Sequence, residues 1–207
     1  MKYFNTNDIQ AMSKIFRLNL INSITGYKSA NLIVTKTNSK IYNVAIFSSV
    51  THLGSDPPLI GFITRPGPVP RNTYDNIIEN GYFTINHITK NQIESAHHSS
   101  AKYPKNISEF DKTTLSPEFK ENFVIPFVKN SPIQIACSFS NEYHITENNT
   151  KLIIGRIENL FLNENLLNKD GWVELNKGEI VTINGLDGYA LPKLIKRFSY
   201  ARPKIKK

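Results

Sequence analysis

Two groups of polar residues have types and spacing that suit a bound ligand. The first is a run of hydroxyl and imidazole side chains at 48–52, directly after an apolar strand pattern and before the turn-forming residues 54–58. Hydroxyl groups at a strand end beside an exposed turn suit a ligand better than a core. The second is Arg71 with Thr73 at the predicted start of a helix. Free backbone N–H groups, the positive end of the helix dipole and an arginine fork together fit a phosphate.

Most of the elements that must position these groups are predicted strands. Alternating or apolar runs bounded by turn residues predict strands at 30–36, 41–50, 59–63, 82–88, 133–146 and 151–163. Capping residues and helical spacing predict three helices, from Thr6-Asn7-Asp8 to Gly26, from Asn72 or Thr73 to Gly81, and from Thr89 to about Ser99. Residues 101–130, which we call the excursion, lack a clear period and are predicted to hold one short helix after Ser116-Pro117.

Many strands with few helices favour a mainly β protein, a β-barrel with peripheral helices. A length of 207 residues with 40% hydrophobic content suits one domain over 1–207 with a sizeable core. We expect that core to span about 17–190 and to be followed by a basic C-terminal tail at 193–207.

Composition narrows the function classes. Cys137 is the single cysteine, so no intrachain disulfide is expected, and its strand pattern indicates a small buried apolar residue. No apolar run approaches the roughly 18–20 residues that a membrane span needs. The first ten residues have no apolar region of the secretory type. We therefore expect a soluble cytoplasmic protein without a membrane partner.

The formal net charge of +8 is concentrated at one end of the chain. The tail carries seven cations and no acid, which leaves the rest of the chain nearly neutral. These cations are Lys193, Lys196, Arg197, Arg202, Lys204, Lys206 and Lys207. A basic tail is most often solvated, and the aromatic residues are not interleaved with basic ones as in stacking platforms. A nucleic-acid partner is therefore ranked last.

Two long runs resemble the flavin reductase-like family, whose members bind FMN on a split β-barrel. They are NVAIFSSVTHLGSDPPLIGF at 43–62 and RNTYDNIIENGYFTIN at 71–86. Further matches are SPIQIACSF at 131–139, LIIGRIENLFL at 152–162 and DGWVELNKG at 170–178. The resemblance covers roughly 17–190, and it implies a twofold homodimer with flavin at the interface.

The resemblance also implies the cofactor site. In relatives, the strand that corresponds to the one beginning at Asn43 lines the flavin ring and its ribityl chain. Backbone N–H groups from Ala45 to Ser48 would then lie near the flavin ring atoms that gain negative charge on reduction. Arg71 and Thr73 hold the phosphate. The implied cofactor-binding residues are Asn43, Ala45, Ile46, Phe47, Ser48, Ser49, Thr51, Arg71, Thr73 and Asn76. FMN is the expected cofactor, and FAD stays open.

Each of these residues also has an ordinary structural interpretation. The hydroxyls at 48–51 suit an edge strand, Arg71 suits a surface ion pair, and Thr73 suits a helix cap. Asn76 lies one helical turn from Thr73 and either shares its ligand or supports the loop. His52 either contacts flavin or nicotinamide, or makes a structural hydrogen bond.

No side chain is singled out as catalytic. His97 and His98 are neighbours on a predicted helix, point about 100° apart and do not form a chelating pair, so no metal site is expected. The sequence has no G-x-S-x-G elbow and no glycine-rich phosphate loop. A nicotinamide would therefore have to stack on the bound flavin in an open groove.

These features lead to one leading hypothesis. It is an FMN-binding oxidoreductase that passes electrons from NAD(P)H through flavin to free flavin, a partner monooxygenase or ferric iron. Such a reaction needs alignment of nicotinamide with flavin rather than a side-chain acid or base. The alternative is a flavoredoxin-like FMN-binding electron-transfer protein without its own nicotinamide activity.

Overall fold

The computed structural model describes residues 1–65, 67 and 72–203. Its main element is a seven-stranded antiparallel sheet with the order β3-β2-β6-β9-β10-β5-β4. The strands of this sheet are β2 Asn31–Lys36, β3 Tyr42–Phe47, β4 Thr51–Ser55, β5 Pro58–Thr64, β6 Tyr82–His87, β9 Ile133–Ile145 and β10 Thr150–Leu162. The mainly β expectation is confirmed.

The order of the strands shows that this sheet curls into a barrel. β3 and β4 are the two edge strands, yet only residues 48–50 separate them in the chain. The sheet must therefore bring its edges close together, although the two edges do not pair with each other. The result is a split barrel whose opening lies between β3 and β4.

The inner face of the sheet forms one apolar core. Phe62, Phe83 and Ile153 are fully buried there. A Cβ atom on Gly155 of β10 would lie 2.4 Å from Cζ of Phe83. Gly155 is therefore required because a strand backbone and a large ring meet at this point.

The outer face of β2 and β3 is covered by a second apolar cluster. Leu32 and Val44 of the sheet pack there against Leu115, Ile125 and Val128 of the excursion. The excursion contains the strands β7 Pro117–Glu118 and β8 Phe127–Val128, which pair with each other, and a 3₁₀ turn at Glu109–Asp111. The short helix predicted after Ser116-Pro117 is thus wrong, because this segment is extended and forms a strand pair.

The described part of the chain contains four α-helices, α1 Thr6–Ala11, α2 Lys14–Ser23, α3 Asn72–Asn80 and α4 Ile93–His98. The single N-terminal helix predicted from spacing is two helices. Met12 is extended, with φ −61° and ψ 145°, and the Ser13 hydroxyl accepts from the N–H of Phe16 to start α2. A local cap therefore interrupts a continuous helical pattern.

A small second sheet completes the fold, in the order β1-β11-β12. Its strands are β1 Lys28–Ser29, β11 Thr182–Asn184 and β12 Gly188–Ala190. Residues 191–203 follow without regular structure. Among the described residues, every helix is too short or too polar to cross a membrane.

Candidate functional site

The free edge of β3 is the feature around which the candidate site is built. β3 pairs with β2 only, so one side of its backbone faces away from the sheet. The N–H of Val44 points to that side, since it donates to Oε2 of Glu109 at 2.7 Å. Backbone groups alternate in direction along a strand, so the N–H of Ile46 points the same way. The strand predicted to line the flavin therefore presents backbone donors along an open edge.

The first end of this edge, at Asn43, is closed by a buried polar network. Nδ2 of Asn43 donates to both carboxylate oxygens of Glu109, at 2.9 Å and 3.0 Å. The hydroxyl of Thr73 donates to Oδ1 of Asn43 at 2.9 Å. Glu109 is 3% exposed, and Asn43 and Thr73 are each 7% exposed. We call these three residues the closed end.

The same side of α3 makes two further polar contacts with the sheet. Nδ2 of Asn76 donates to the Thr35 hydroxyl at 3.0 Å, and Nδ2 of Asn80 donates to the carbonyl of Lys36 at 2.8 Å. Thr73, Asn76 and Asn80 recur at a spacing of three and four, so they share one helix face. These bonds fix α3 against β2 and β3.

Thr73 and Asn76, which are both predicted beside the phosphate, are buried. Nδ2 of Asn76 bonds to Thr35 and holds the helix on the sheet, while Oδ1 of Asn76 is buried without a hydrogen-bond partner among the described residues. Thr73 lies inside the first turn of α3 rather than at the cap, and its hydroxyl bonds to Asn43. Arg71 lies outside the described residues. Contact of these residues with flavin stays a prediction.

The other end of the β3 edge, at residues 48–52, is open, and we call it the open end. Thr51 and His52 belong to β4 and are exposed. None of the described hydrogen bonds uses the hydroxyl of Ser48 or the ring of His52. Strand β4 itself was not predicted, because its residues are exposed, polar and interrupted by Gly54. Polar groups here remain available to a ligand.

One hydroxyl of the open end has a structural partner. Oγ of Ser49 accepts from the N–H of Ile63 at 3.0 Å, which joins the linker between β3 and β4 to β5. The Ser29 hydroxyl donates to the carbonyl of Val50 at 3.0 Å and anchors the same linker. Ser49 therefore holds the linker in place, while Ser48 beside it keeps its hydroxyl uncommitted.

The side chains of the central β3 residues point into the two cores. Phe47 faces the inner core and meets the Phe62 ring edge-on at 5.2 Å between centroids. Ile46 packs on the outer cluster, and Ala45 alternates with it along the strand. A ligand along this edge can therefore reach the backbone of Ile46, whereas the N–H groups of Ala45 and Phe47 point toward β2.

The distance between the two ends suits an elongated ligand. Asn43 and Ser48 are five positions apart, which corresponds to about 17 Å of extended strand. An extended flavin mononucleotide has a flat ring at one end and a phosphate at the other. Its ring can lie at the open end while its phosphate lies at the start of α3.

Glu109 is a site residue that the sequence reasoning missed. It lies 66 positions from Asn43, inside the irregular excursion, so no local pattern connects the two residues. Burial raises the pKa of its carboxyl, and hydrogen bonds from Val44 and Asn43 partly offset this effect. A single carboxylate in a loop is most often solvated, so only the structure could assign it to β3.

A second charged group beside α3 was also missed. The ammonium of Lys151 contacts the hydroxyl of Tyr74 and lies 4.1 Å from the centre of the Tyr74 ring. The same ammonium forms an ion pair with Glu142, with 2.8 Å between Nζ and Oε1. The hydrogen bonds that Lys151 donates to Glu142 and to Tyr74 raise the pKa of Lys151. A fixed positive charge therefore lies next to the first turn of α3.

The adjacent histidines lie exposed on a helix, as the sequence predicts. His97 and His98 are exposed on α4 and bond to the hydroxyls of Tyr189 and Tyr103 at 3.1 Å and 2.7 Å. Within the described part of the chain, no group of histidine, cysteine, aspartate or glutamate side chains could hold a metal ion.

Comparisons with known proteins agree on one family. The model of the flavin reductase like domain matches residues 24–176. A flavin-reductase-type split-barrel protein from Shewanella frigidimarina is 39% identical, with a TM-score of 0.94 over 97% of this chain and 100% of that chain. Nitrilotriacetate monooxygenase component B from Bacillus cereus is 23% identical, with a TM-score of 0.81 over 97% and 98%, which shows the fold. YwrF from Bacillus subtilis is 27% identical over 83% of this chain and 85% of its own length.

Proposed function

Because the chain belongs to the flavin reductase-like domain family, we propose that it is an FMN-binding oxidoreductase. In this proposal, electrons pass from NAD(P)H through the flavin to an acceptor, which is free flavin, a partner monooxygenase or ferric iron. The observation that supports it best is the free edge of β3, where the N–H of Ile46 points outward, with uncommitted hydroxyls at one end and a helix start at the other.

The residues present fit FMN. The N–H of Ile46 and the hydroxyl of Ser48 lie where the ring is proposed to bind, and they can donate to its oxygen and nitrogen atoms. The first turn of α3 offers free N–H groups, and Arg71 precedes it in sequence, which suits a phosphate. Bound FMN would supply hydride acceptance and stepwise electron release. The chain itself orients the ring and stabilises the negative charge that develops on it.

Nicotinamide binding is proposed at the open end. The sequence has no G-x-G-x-x-G loop, so a separate dinucleotide-binding motif is absent from it. Thr51 and His52 are exposed beside the proposed ring position. A nicotinamide stacked there needs only to be held close to the flavin, because proximity and orientation are the main requirements for hydride transfer.

We also propose that the protein is a homodimer. α1 and α2 bury none of their residues, and the apolar side chains of Ile15 and Ile24 are each 66% exposed. In the tail, Ile195 is 96% exposed. Exposed apolar side chains at both ends of the chain suit contact with a second copy. Light scattering at micromolar concentration should give twice the mass of the chain, and a monomer would contradict the proposal.

The central experiment is an absorbance spectrum of the purified protein with FMN, followed by anaerobic addition of NADH or NADPH. We expect a protein-bound flavin spectrum that bleaches on addition of one or both nucleotides. If dithionite bleaches the bound flavin but NADH and NADPH do not, the result would favour the flavoredoxin-like alternative. Failure to bind FMN, FAD or riboflavin would contradict both functions.

A further inference from the structure

The Glu109 carboxylate determines the direction of the hydrogen bonds at the closed end. An ionised carboxylate only accepts hydrogen bonds, so the amide of Asn43 must turn its Nδ2 group toward it. The structure has this orientation, with Nδ2 bonding to both carboxylate oxygens. Oδ1 of Asn43 therefore faces the Thr73 hydroxyl and accepts its hydrogen.

This direction limits what Thr73 can offer to a ligand. A threonine hydroxyl has one hydrogen, and here that hydrogen is used inside the chain. Toward a ligand the oxygen presents only lone pairs, which do not bond to the acceptor oxygens of a phosphate. The charged state of Glu109 thus reaches Thr73 through Asn43, although Glu109 and Thr73 are not bonded to each other.

We propose that Glu109 is a positioning residue that sets whether Thr73 donates to the phosphate of the flavin. A neutral group at position 109 that can donate would let the amide of Asn43 turn over. Nδ2 would then donate to the Thr73 hydroxyl, whose hydrogen becomes available to the ligand. The inference rests on the proposed function, because it needs a phosphate beside Thr73.

The substitution Glu109→Gln tests this inference with little change in shape. Its side-chain oxygen can still accept from the N–H of Val44, and its NH2 group can donate to Oδ1 of the reoriented Asn43. Every buried polar group of the network then keeps a partner, so the fold is expected to persist. A residue that served only to hold the excursion would not strengthen phosphate binding when altered.

The experiment measures the Kd of FMN and of riboflavin for the wild type, Glu109→Gln, Thr73→Val and the double variant. We expect Glu109→Gln to raise the preference for FMN over riboflavin about tenfold, the size of one hydrogen bond to a charged group. In the Thr73→Val background, the same change should raise it less than about threefold, because only the loss of a nearby negative charge remains. Thr73→Ser, which keeps a hydroxyl, should retain the full gain and is the matched control.

Three results of this experiment would overturn the inference. The first is an unchanged or reduced preference for FMN in Glu109→Gln. The second is failure of that variant to fold, since the neutral network must stay paired. The third is an equal gain with and without the Thr73 hydroxyl, which would leave only an effect of charge.

A nuclear Overhauser measurement on the flavin-free protein separates this inference from the proposed function. In the wild type, the amide hydrogens of Asn43 should lie near the side chain of Glu109. In Glu109→Gln they should lie near the methyl group of Thr73. Amide hydrogens that stay near residue 109 would overturn the inference whether or not flavin binds. A wild type that binds no flavin would contradict only the proposed function.

Discussion

The two ends of the β3 edge use their polar groups in opposite ways. At the closed end, Asn43, Thr73 and Glu109 are buried and bonded to one another. At the open end, Thr51 and His52 are exposed, and the hydroxyl of Ser48 has no hydrogen-bond partner among the described residues. The sequence places hydroxyl groups at both ends, but the structure uses those of the closed end for stability and leaves Ser48 and Thr51 of the open end available.

The difference shows why residue type alone does not identify a ligand contact. A buried polar group must be paired within the protein, because leaving it unpaired costs about 1–3 kcal/mol. Asn43 meets that requirement with partners in the chain for both its Nδ2 and its Oδ1. Asn76 meets it only in part, because its Nδ2 bonds to Thr35 while its Oδ1 is buried without a partner among the described residues. An exposed hydroxyl has water as its partner and can exchange it for a ligand at little cost. Four predictions follow the contrast from the largest expected effect to the smallest.

The largest effect is expected from Asn43→Ala at the closed end. The change removes two donors to a buried carboxylate and the acceptor of the Thr73 hydroxyl, so we expect the free energy of unfolding to fall by about 3 kcal/mol. Urea unfolding followed by circular dichroism measures it. Thr51→Ala at the open end is the control, and it should change the free energy of unfolding by less than about 0.5 kcal/mol. Equal losses for the two variants would remove the contrast.

The second prediction concerns Arg71→Ala. A charge-assisted hydrogen bond contributes about 1.5–3 kcal/mol, so FMN binding should weaken about ten- to a hundredfold. Riboflavin has the same ring without the phosphate, and its affinity should barely change. Thr73→Ala should change the preference for FMN over riboflavin far less, because the Thr73 hydroxyl donates its hydrogen to Asn43 rather than to the ligand. Equal weakening of both ligands by Arg71→Ala would make Arg71 structural and direct the search for the phosphate toward Ser48 and Ser49.

The third prediction concerns His87 of β6. Asn31 of β2 pairs with His87 on one side and with Phe47 of β3 on the other, which places His87 near the open end. Burial lowers its pKa from 6.5 to about 4. The unfolded chain therefore takes up a proton between those two values while the folded chain does not, so stability is lost as the pH falls through this window. Between pH 7.5 and pH 5, this group should lower the free energy of unfolding by about 2 kcal/mol.

The variant His87→Asn isolates that contribution. Urea unfolding at pH 7.5 and pH 5 should show a smaller loss for His87→Asn than for the wild type. His144 is exposed, and His144→Asn should leave the wild-type loss unchanged. A wild type and a His87→Asn variant with the same dependence on pH would show that His87 takes up its proton in the folded state as well.

The smallest effect is expected from deletion of Arg202–Lys207. These residues follow the proposed site motifs in sequence, and exposed charges more than about 8–10 Å from a ligand are screened. FMN affinity should stay within about threefold of the full-length value, as measured by fluorescence titration. A loss of more than tenfold would show that the tail reaches the site. The ion pair of Arg197 with Asp170, at 2.9 Å, is retained in this truncation.

The sequence by itself determined the elements whose signals are local. Alternating apolar residues predicted the long hairpin of β9 and β10, and Gly81, with φ of 74°, ends α3 where expected. The capping box of Thr89 and Gln92 is present. These signals involve residues a few positions apart, which the periodicity of helices and strands makes visible. The family resemblance rests on such local runs as well.

Only the tertiary structure decided which polar residues are used within the chain. The bonds of Asn43 to Glu109, of Thr73 to Asn43 and of Asn76 to Thr35 join residues that are 66, 30 and 41 positions apart. No local period connects such pairs, because their contact depends on how the barrel closes and where the excursion folds back on it. For the same reason β4 was not predicted, and the split of the barrel, which the resemblance implied, could not be placed between β3 and β4 from the sequence. A strand at an exposed edge carries little apolar pattern, and its place is set by its partner.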